Sequence, residues 1–203
     1  MNFFELAERR RSIGKVTDRP VPQVLIEHLL HAAIQAPNHH LTQPWRFFIL
    51  QGEARKRLGT CMAEAARQRA DTAEKEEAYF QREAEKPMRA PLLITVASVS
   101  DRDDPLRIHE DQLATAAAVE NLLLAATEAG LAAQWRTGKP AYDDHVKAFF
   151  GLRPQDSIIA FLYIGYAAID PPPRERIPWQ AVSFLPDSTN GWQPLQPPHT
   201  PTS

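Results

Sequence analysis

Glycine is scarce in this chain: there are eight in 203 residues, none adjacent and none in a Gly-x-Gly step. That excludes both a Walker-type phosphate loop and the glycine fingerprint of dinucleotide-binding folds. Any bound nucleotide must be held by side chains. Cysteine is scarcer still. The lone Cys61 rules out an intramolecular disulfide framework and a Cys-rich zinc site, and fits a reducing compartment. No Gly-x-Ser-x-Gly elbow of a serine hydrolase occurs. No apolar run approaches the roughly 20 residues needed to cross a bilayer. The opening "MNFFELAERRRS" turns charged too soon for a signal peptide. A formal net charge of −2 provides no global attraction to nucleic acid or anionic membrane. The expectation is a cytoplasmic protein with no nucleic-acid or membrane partner.

The balance of 43% hydrophobic and 24% charged residues is that of an ordinary globular chain, long enough for one full core. "NFFELAERRRS" reads as a short helix. "PVPQVLIEHLLHAAIQA" reads as another, with Val24, Leu25, Leu29, Ala32 and Ala33 as its apolar stripe, closed by Pro37. "RFFIL", "APLLITVASVS", "AAQWRTG" and "SIIAFLYIGYA" read as strands. The 53–86 segment carries eight basic and eight acidic residues and reads as a solvated helical excursion. In "HEDQLATAAAVENLLLAATEAG" the 113–126 portion is apolar nearly all round, which predicts enclosure by the core or by a partner subunit. Its carboxylates Glu110 and Asp111 read as an N-terminal cap region. Nine of the 18 prolines lie beyond Asp170, so 171–203 is expected to wrap over something or stay disordered, after a single domain at 1–170. The element order suits an α+β or mixed α/β sheet covered by helices.

Two clusters carry candidate chemistry. "RRRSIGK" sets Arg9, Arg10, Arg11, Ser12 and Lys15 at a helix end, where arginine forks suit phosphate; a solvated basic helix end is the competing reading and has the better odds on spacing alone. "APNHHLTQPW" offers His39, His40, Thr42 and Gln43 between two prolines. Adjacent histidines diverge, and no acidic residue stands near them in sequence, so a metal site is not expected. Hydrogen bonding to the edge of a heteroaromatic ligand is the reading left. "QWRTG" adds an aromatic, a cation and a hydroxyl, or else a strand with a core tryptophan.

Together these segments resemble the FMN-dependent nitroreductase family, particularly its short single-domain members. The matches are "RRS" at Arg10–Ser12, "AP…QPW" at 36–45, the long helix running into "QWRTG", and "GLRPQDSIIAFLYIGYA". They cover about residues 3 to 168 in order. The resemblance implies a mostly antiparallel sheet flanked by helices, an intertwined homodimer, and FMN bound at the interface. It implies that Arg10, Arg11 and Ser12 hold the phosphate and ribityl end, and that His39 and Gln43 contact the flavin or ribityl chain. Trp135, Arg136 and Thr137, with Gly138 near, would lie along the isoalloxazine from the other subunit. NAD(P)H would be co-substrate in a ping-pong hydride transfer through flavin N5 to nitroaromatic or quinone-like acceptors, with no protein acid or base assigned. The alternatives are a flavin-dependent dehydrogenase, a flavin-fragmenting enzyme, or a non-catalytic flavin sensor or carrier. Three positions depart from the family pattern. Gly14 stands where a basic residue is frequent, Leu41 where an asparagine is common, and a basic residue expected near the C-terminus has only Arg174 and Arg176 as counterparts.

Overall fold

Alternation along the strands sets the architecture of the computed structural model, which describes residues 1–70, 77–171, 174–187 and 191–195. Four strands, β1 (Trp45–Leu50), β2 (Leu92–Ser98), β3 (Ala132–Arg136) and β4 (Ser157–Gly165), form one sheet in the order β1-β2-β4-β3. Every pairing is antiparallel, with Trp45 opposite Ser98, Leu92 opposite Ile164 and Ala132 opposite Gly165. β2 is buried at all its positions. A strand enclosed on both faces is apolar almost throughout, here with Thr95 and Ser98 as its buried polar residues, and sends alternate side chains into two separate cores.

One core gathers Leu92, Ile94, Val96, Leu162 and Ile164 with α2 (Gln23–Ala33) and α5 (Pro105–Glu128). The other gathers Leu93, Phe161 and Tyr163 with α3 (Glu53–Gln68), including Leu58, Cys61, Met62 and Ala65. The short helices α1 (Phe3–Arg9), α4 (Glu77–Glu85) and α6 (Asp144–Phe149) complete this part. Asn2 caps α1 reciprocally with Glu5, which is why a seven-residue helix can form at the chain end.

Three helix expectations change. The buried stripe of α2 is Ile26, Leu29 and Ala33, while Val24 is 67% exposed. The 53–86 segment is not simply solvated. α3 buries seven residues, because Leu58, Met62 and the alanines share one face and its charges the other; residues 71–76 lie outside the described part. The cap of α5 is Asp104, whose side chain accepts from Leu106 N, with Pro105 first in the helix. Glu110 and Asp111 therefore lie well inside it. Within the single chain α5 is open along one stripe, where Leu106 and Leu113 are 66% and 58% exposed. Among the described residues no helix is long and apolar enough to cross a membrane.

The chain divides into two compact units, Met1–Asp170 and Pro171–Ser203. In the second, β5 (Phe184–Pro186) and β6 (Trp192–Pro194) form an antiparallel hairpin behind a short 3-10 turn at Trp179–Val182. Its prolines confine it to such small pieces. Residues 172–173, 188–190 and 196–203 of the tail lie outside the described part.

α3 and α4 meet at Gly59, where an added Cβ would stand 2.1 Å from the main-chain oxygen of Ala84. Since a helix backbone cannot swing aside as a side chain can, Gly59→Ala is expected to lower stability by about 1–3 kcal/mol. Urea denaturation measures this, and an unchanged midpoint would show that the two helices separate freely.

Candidate active site

The segment after α1 runs along the free edge of the sheet. Ser12 bridges Ala133 in parallel, and Ile13 N donates to Ala133 O at 3.0 Å. Beyond it, Thr17 N donates to Tyr166 O and Ala168 N to Lys15 O. The Arg10–Ser12 triplet is thereby fixed beside β3, and Arg10 Nε lies 3.0 Å from Glu120 of α5. Gln134 connects the triplet's segment to the rest of the edge. Its Oε1 accepts from Arg136 Nε at 2.9 Å and would lie 2.2 Å from a Cβ at Gly14. A larger residue at position 14 would have to displace the Gln134 amide, the flexible end of that side chain.

Alternation separates Trp135 from its neighbours. Its indole packs against the α2–α5 core and Nε1 donates to Ile159 O at 3.0 Å. Arg136, Thr137 and Gly138 instead line a cleft of about 300 Å³ with Met62, Lys86, Arg89, Pro140, Phe161 and Tyr163. Trp135 does not line this cleft with Arg136–Gly138; its side chain anchors the strand that presents them. Lys86 is held by the buried Glu83, at 2.6 and 2.5 Å to the two carboxyl oxygens. Burial keeps the Tyr163 phenol above its ordinary range, against the pull of Arg89 and Arg136, so it remains protonated at neutral pH. Lys86, Arg89 and Tyr163 were not singled out in the sequence. Only the β4 alternation that sends Phe161 and Tyr163 to one face gave any sign.

The loop of His39 and Gln43 lies elsewhere. It leads into β1, at the opposite edge of the sheet from β3, three strand spacings or about 14 Å away. Within one chain the triplet and β3 therefore share an edge and the loop does not. His39 Nδ1 meets Glu110 Oε2 at 2.9 Å, and its ring stacks on His40 at 4.0 Å between centroids. The acidic partner missing in sequence comes from α5. Pro37, Asn38, His39, Glu110, Leu113, Ala114 and Ala117 enclose a shallow cleft of about 410 Å³. Three loop residues adopt positive φ: His40 at 55°, Leu41 at 56° and Gln43 at 45°. Each such non-glycine residue costs about 1–2 kcal/mol. At 41 asparagine would tolerate this backbone better than leucine.

A further cleft holds Arg57, Thr60, Cys61, Glu64, His145, Ala148 and Phe149. Burial, then the charge of Glu64, pushes the Cys61 thiol up to about 11, so it is no nucleophile at neutral pH. Among the described residues no group of three or more His, Cys, Asp or Glu is placed to hold a metal ion.

The pattern of the nitroreductase family matches residues 7–166. YdjA of Escherichia coli K12, provisionally named an NAD(P)H nitroreductase, is 31% identical over 165 residues, covering 81% of this chain and 88% of its own. A nitroreductase-like family protein from Bacillus cereus superposes with a TM-score of 0.77 at 28% identity, over 88% of this chain and 92% of that one. A provisionally named nitroreductase from Desulfovibrio desulfuricans, solved in complex with FMN, shares the fold at 24% identity and a TM-score of 0.65, over 87% and 94% of the two chains.

The Glu110 carboxyl is held below its ordinary range, first by the hydrogen bond from His39 and further by Arg107 and His40, against desolvation. A depressed carboxyl stabilises the fold above its unfolded pKa, and that contribution is lost as pH falls through the folded value. The stability gap between wild type and Glu110→Gln should therefore close on acidification below the usual glutamate range. Urea midpoints taken from pH 7 to 3 measure this; a gap that persists at pH 3 would show that the pair does not titrate as described.

Proposed function

Because the chain belongs to the nitroreductase family, we propose that it is an FMN-dependent oxidoreductase that passes electrons from NAD(P)H to nitroaromatic or quinone-like acceptors, working as a homodimer. The observation that carries this reading is the cleft at the end of β3. Lys86, Arg89 and Arg136 ring it, with Phe161, Met62 and Pro140 as apolar walls. Apolar walls with a few convergent cations suit a flat heteroaromatic ligand that carries an anionic group. The volume of about 300 Å³ is at the low end for such sites, as expected of one completed by a second subunit.

The chemistry FMN supplies when bound is two-electron transfer between NAD(P)H and the acceptor. The chain's own residues bind and orient. Arg11, which has no carboxyl partner among the described residues, would meet the phosphate with Ser12, while Glu120 aims Arg10 beside them. Lys86, steadied by Glu83, and Arg136, steadied by Gln134, would offer positive charge to the flavin rim. Thr137 and Gly138 would lie along its edge, and Trp135 keeps their strand in place.

His39 and Gln43 would act on the flavin of the partner subunit. The open stripe of α5 supports this, since Leu106 and Leu113 expose an apolar surface that a second copy of the helix could cover. The opposite-edge placement of loop and cleft supports it as well, because two-fold pairing can bring opposite edges of two subunits together.

Purified protein should be yellow and release flavin on denaturation, and the loaded protein should oxidise NADPH faster when a nitroaromatic is added. Absence of acceptor-dependent turnover in flavin-loaded protein would overturn the reductase assignment. Arg136→Ala should weaken FMN binding about tenfold or more, the worth of a hydrogen bond to a charged group, while Arg9→Ala, on the exposed end of α1, leaves it unchanged. Equal affinities in titrations of apoprotein with FMN would remove the cleft from the site.

A further inference from the structure

Among the described residues the three non-glycine residues at positive φ all fall between positions 40 and 43. Such concentrated strain persists only where surrounding contacts over-determine it. The contacts that fix this loop are of two kinds. At its surface, Asn38 Oδ1 accepts from Gln43 N at 3.0 Å, Arg46 Nη1 donates to Gln43 O at 3.2 Å, and His39 pairs with Glu110. These groups are largely water-exposed, so each bond has a solvent substitute.

One further contact is different: the Thr42 hydroxyl also lies 3.3 Å from His39 O within the loop, but its shorter bond goes to a buried group. Thr42, the one residue of the four with an ordinary helical backbone (φ −65°), donates its hydroxyl to Asp111 Oδ1 at 2.7 Å. Asp111 is 2% exposed, and its backbone is tied into α5, where its carbonyl accepts from Thr115 Oγ1 at 2.8 Å. Its second carboxyl oxygen, Oδ2, is buried and meets no donor. The whole hydrogen-bonding commitment of this buried carboxyl is therefore to Thr42. Breaking such a bond leaves a desolvated acceptor with nothing in exchange, which is the costly direction.

We propose that Asp111 is a positioning residue for the flavin site: through Thr42 it latches the strained loop to the core helix in the one conformation that presents His39 and Gln43. This rests on the reading above in which those two side chains contact flavin. The latch lies inside the loop and touches no ligand itself. Its effect on the cofactor is therefore indirect, and it should depend on how strained the loop is.

That dependence provides the test. Thr42→Val keeps the shape and removes the donor; Thr42→Ser keeps the donor. Amide hydrogen exchange of the 38–46 peptide reports the loop, and fluorescence titration of apoprotein with FMN reports the site. In Thr42→Val, exchange should quicken and FMN affinity fall, each about tenfold, and Thr42→Ser should restore both. Leu41→Gly, which removes the penalty at φ 56°, should recover most of the lost FMN affinity in the Thr42→Val background and change little in wild type. A residue with only a packing role would show no such rescue.

Unchanged loop exchange in Thr42→Val overturns the latch. Quickened exchange with unchanged FMN affinity overturns the positioning role by a different route. His39→Ala and Gln43→Ala would then also leave FMN affinity unchanged, which places the fault in the assignment of those side chains to the flavin.

Discussion

β2 is buried at every position and β4 at all but Ser157 and Ile159, and most of the molecule's layout follows from that confinement. Their main-chain groups must be paired on both sides, so each needs a neighbouring strand, and their side chains need two separate apolar covers. α2 and α5 supply one cover, α3 the other. No central position is left for a charged or reactive group. Candidate chemistry is driven to the sheet's two outer strands and to the turns that lead into them. β1 and β3 are those outer strands; the loop of His39 leads into one and Arg136 ends the other, while Lys86 and Arg89, from the turn before β2, and Tyr163 of β4 complete the cleft beside β3.

The same confinement governs electrostatics. The chain is slightly acidic overall, yet the cleft beside β3 is ringed by Lys86, Arg89 and Arg136. Positive charge so placed is partly balanced from within the protein, by Glu83 on Lys86 and by the Gln134 carbonyl on Arg136. Lys86 is thereby paired with a full carboxylate, whereas Arg136 is held by a neutral oxygen that leaves its charge uncompensated.

Much of the scaffold was legible in the residues because it depends on short-range patterning. The branched runs of "APLLITVASVS" and "SIIAFLYIGYA" announce enclosed strands, and "QPW" before "RFFIL" marks a turn into a strand. What could not be read depends on the chain returning to itself. Glu110 reaches His39 and Asp111 reaches Thr42 across some seventy residues, and no local spacing signals either. Lys86 falls at the end of the 53–86 charge run and reads as solvated, because interleaved charges hide the apolar face of α3, and Arg89 just beyond it carries no local signal. The strained loop gave no warning, since residues that normally mark positive φ, glycine and asparagine, are absent at 40, 41 and 43. Trp135 was ambiguous between strand core and ligand wall, and only the pleat of β3 decides which face it takes.

Gln134 fills the volume beside Gly14 that a longer residue there would require. The contact is with the mobile end of a side chain, so a larger residue at 14 displaces the amide and leaves the backbone where it is. The same amide oxygen is the acceptor of Arg136 Nε. A change at 14 is therefore felt first at 136: the glycine leaves room for the glutamine that aims an arginine on the neighbouring strand.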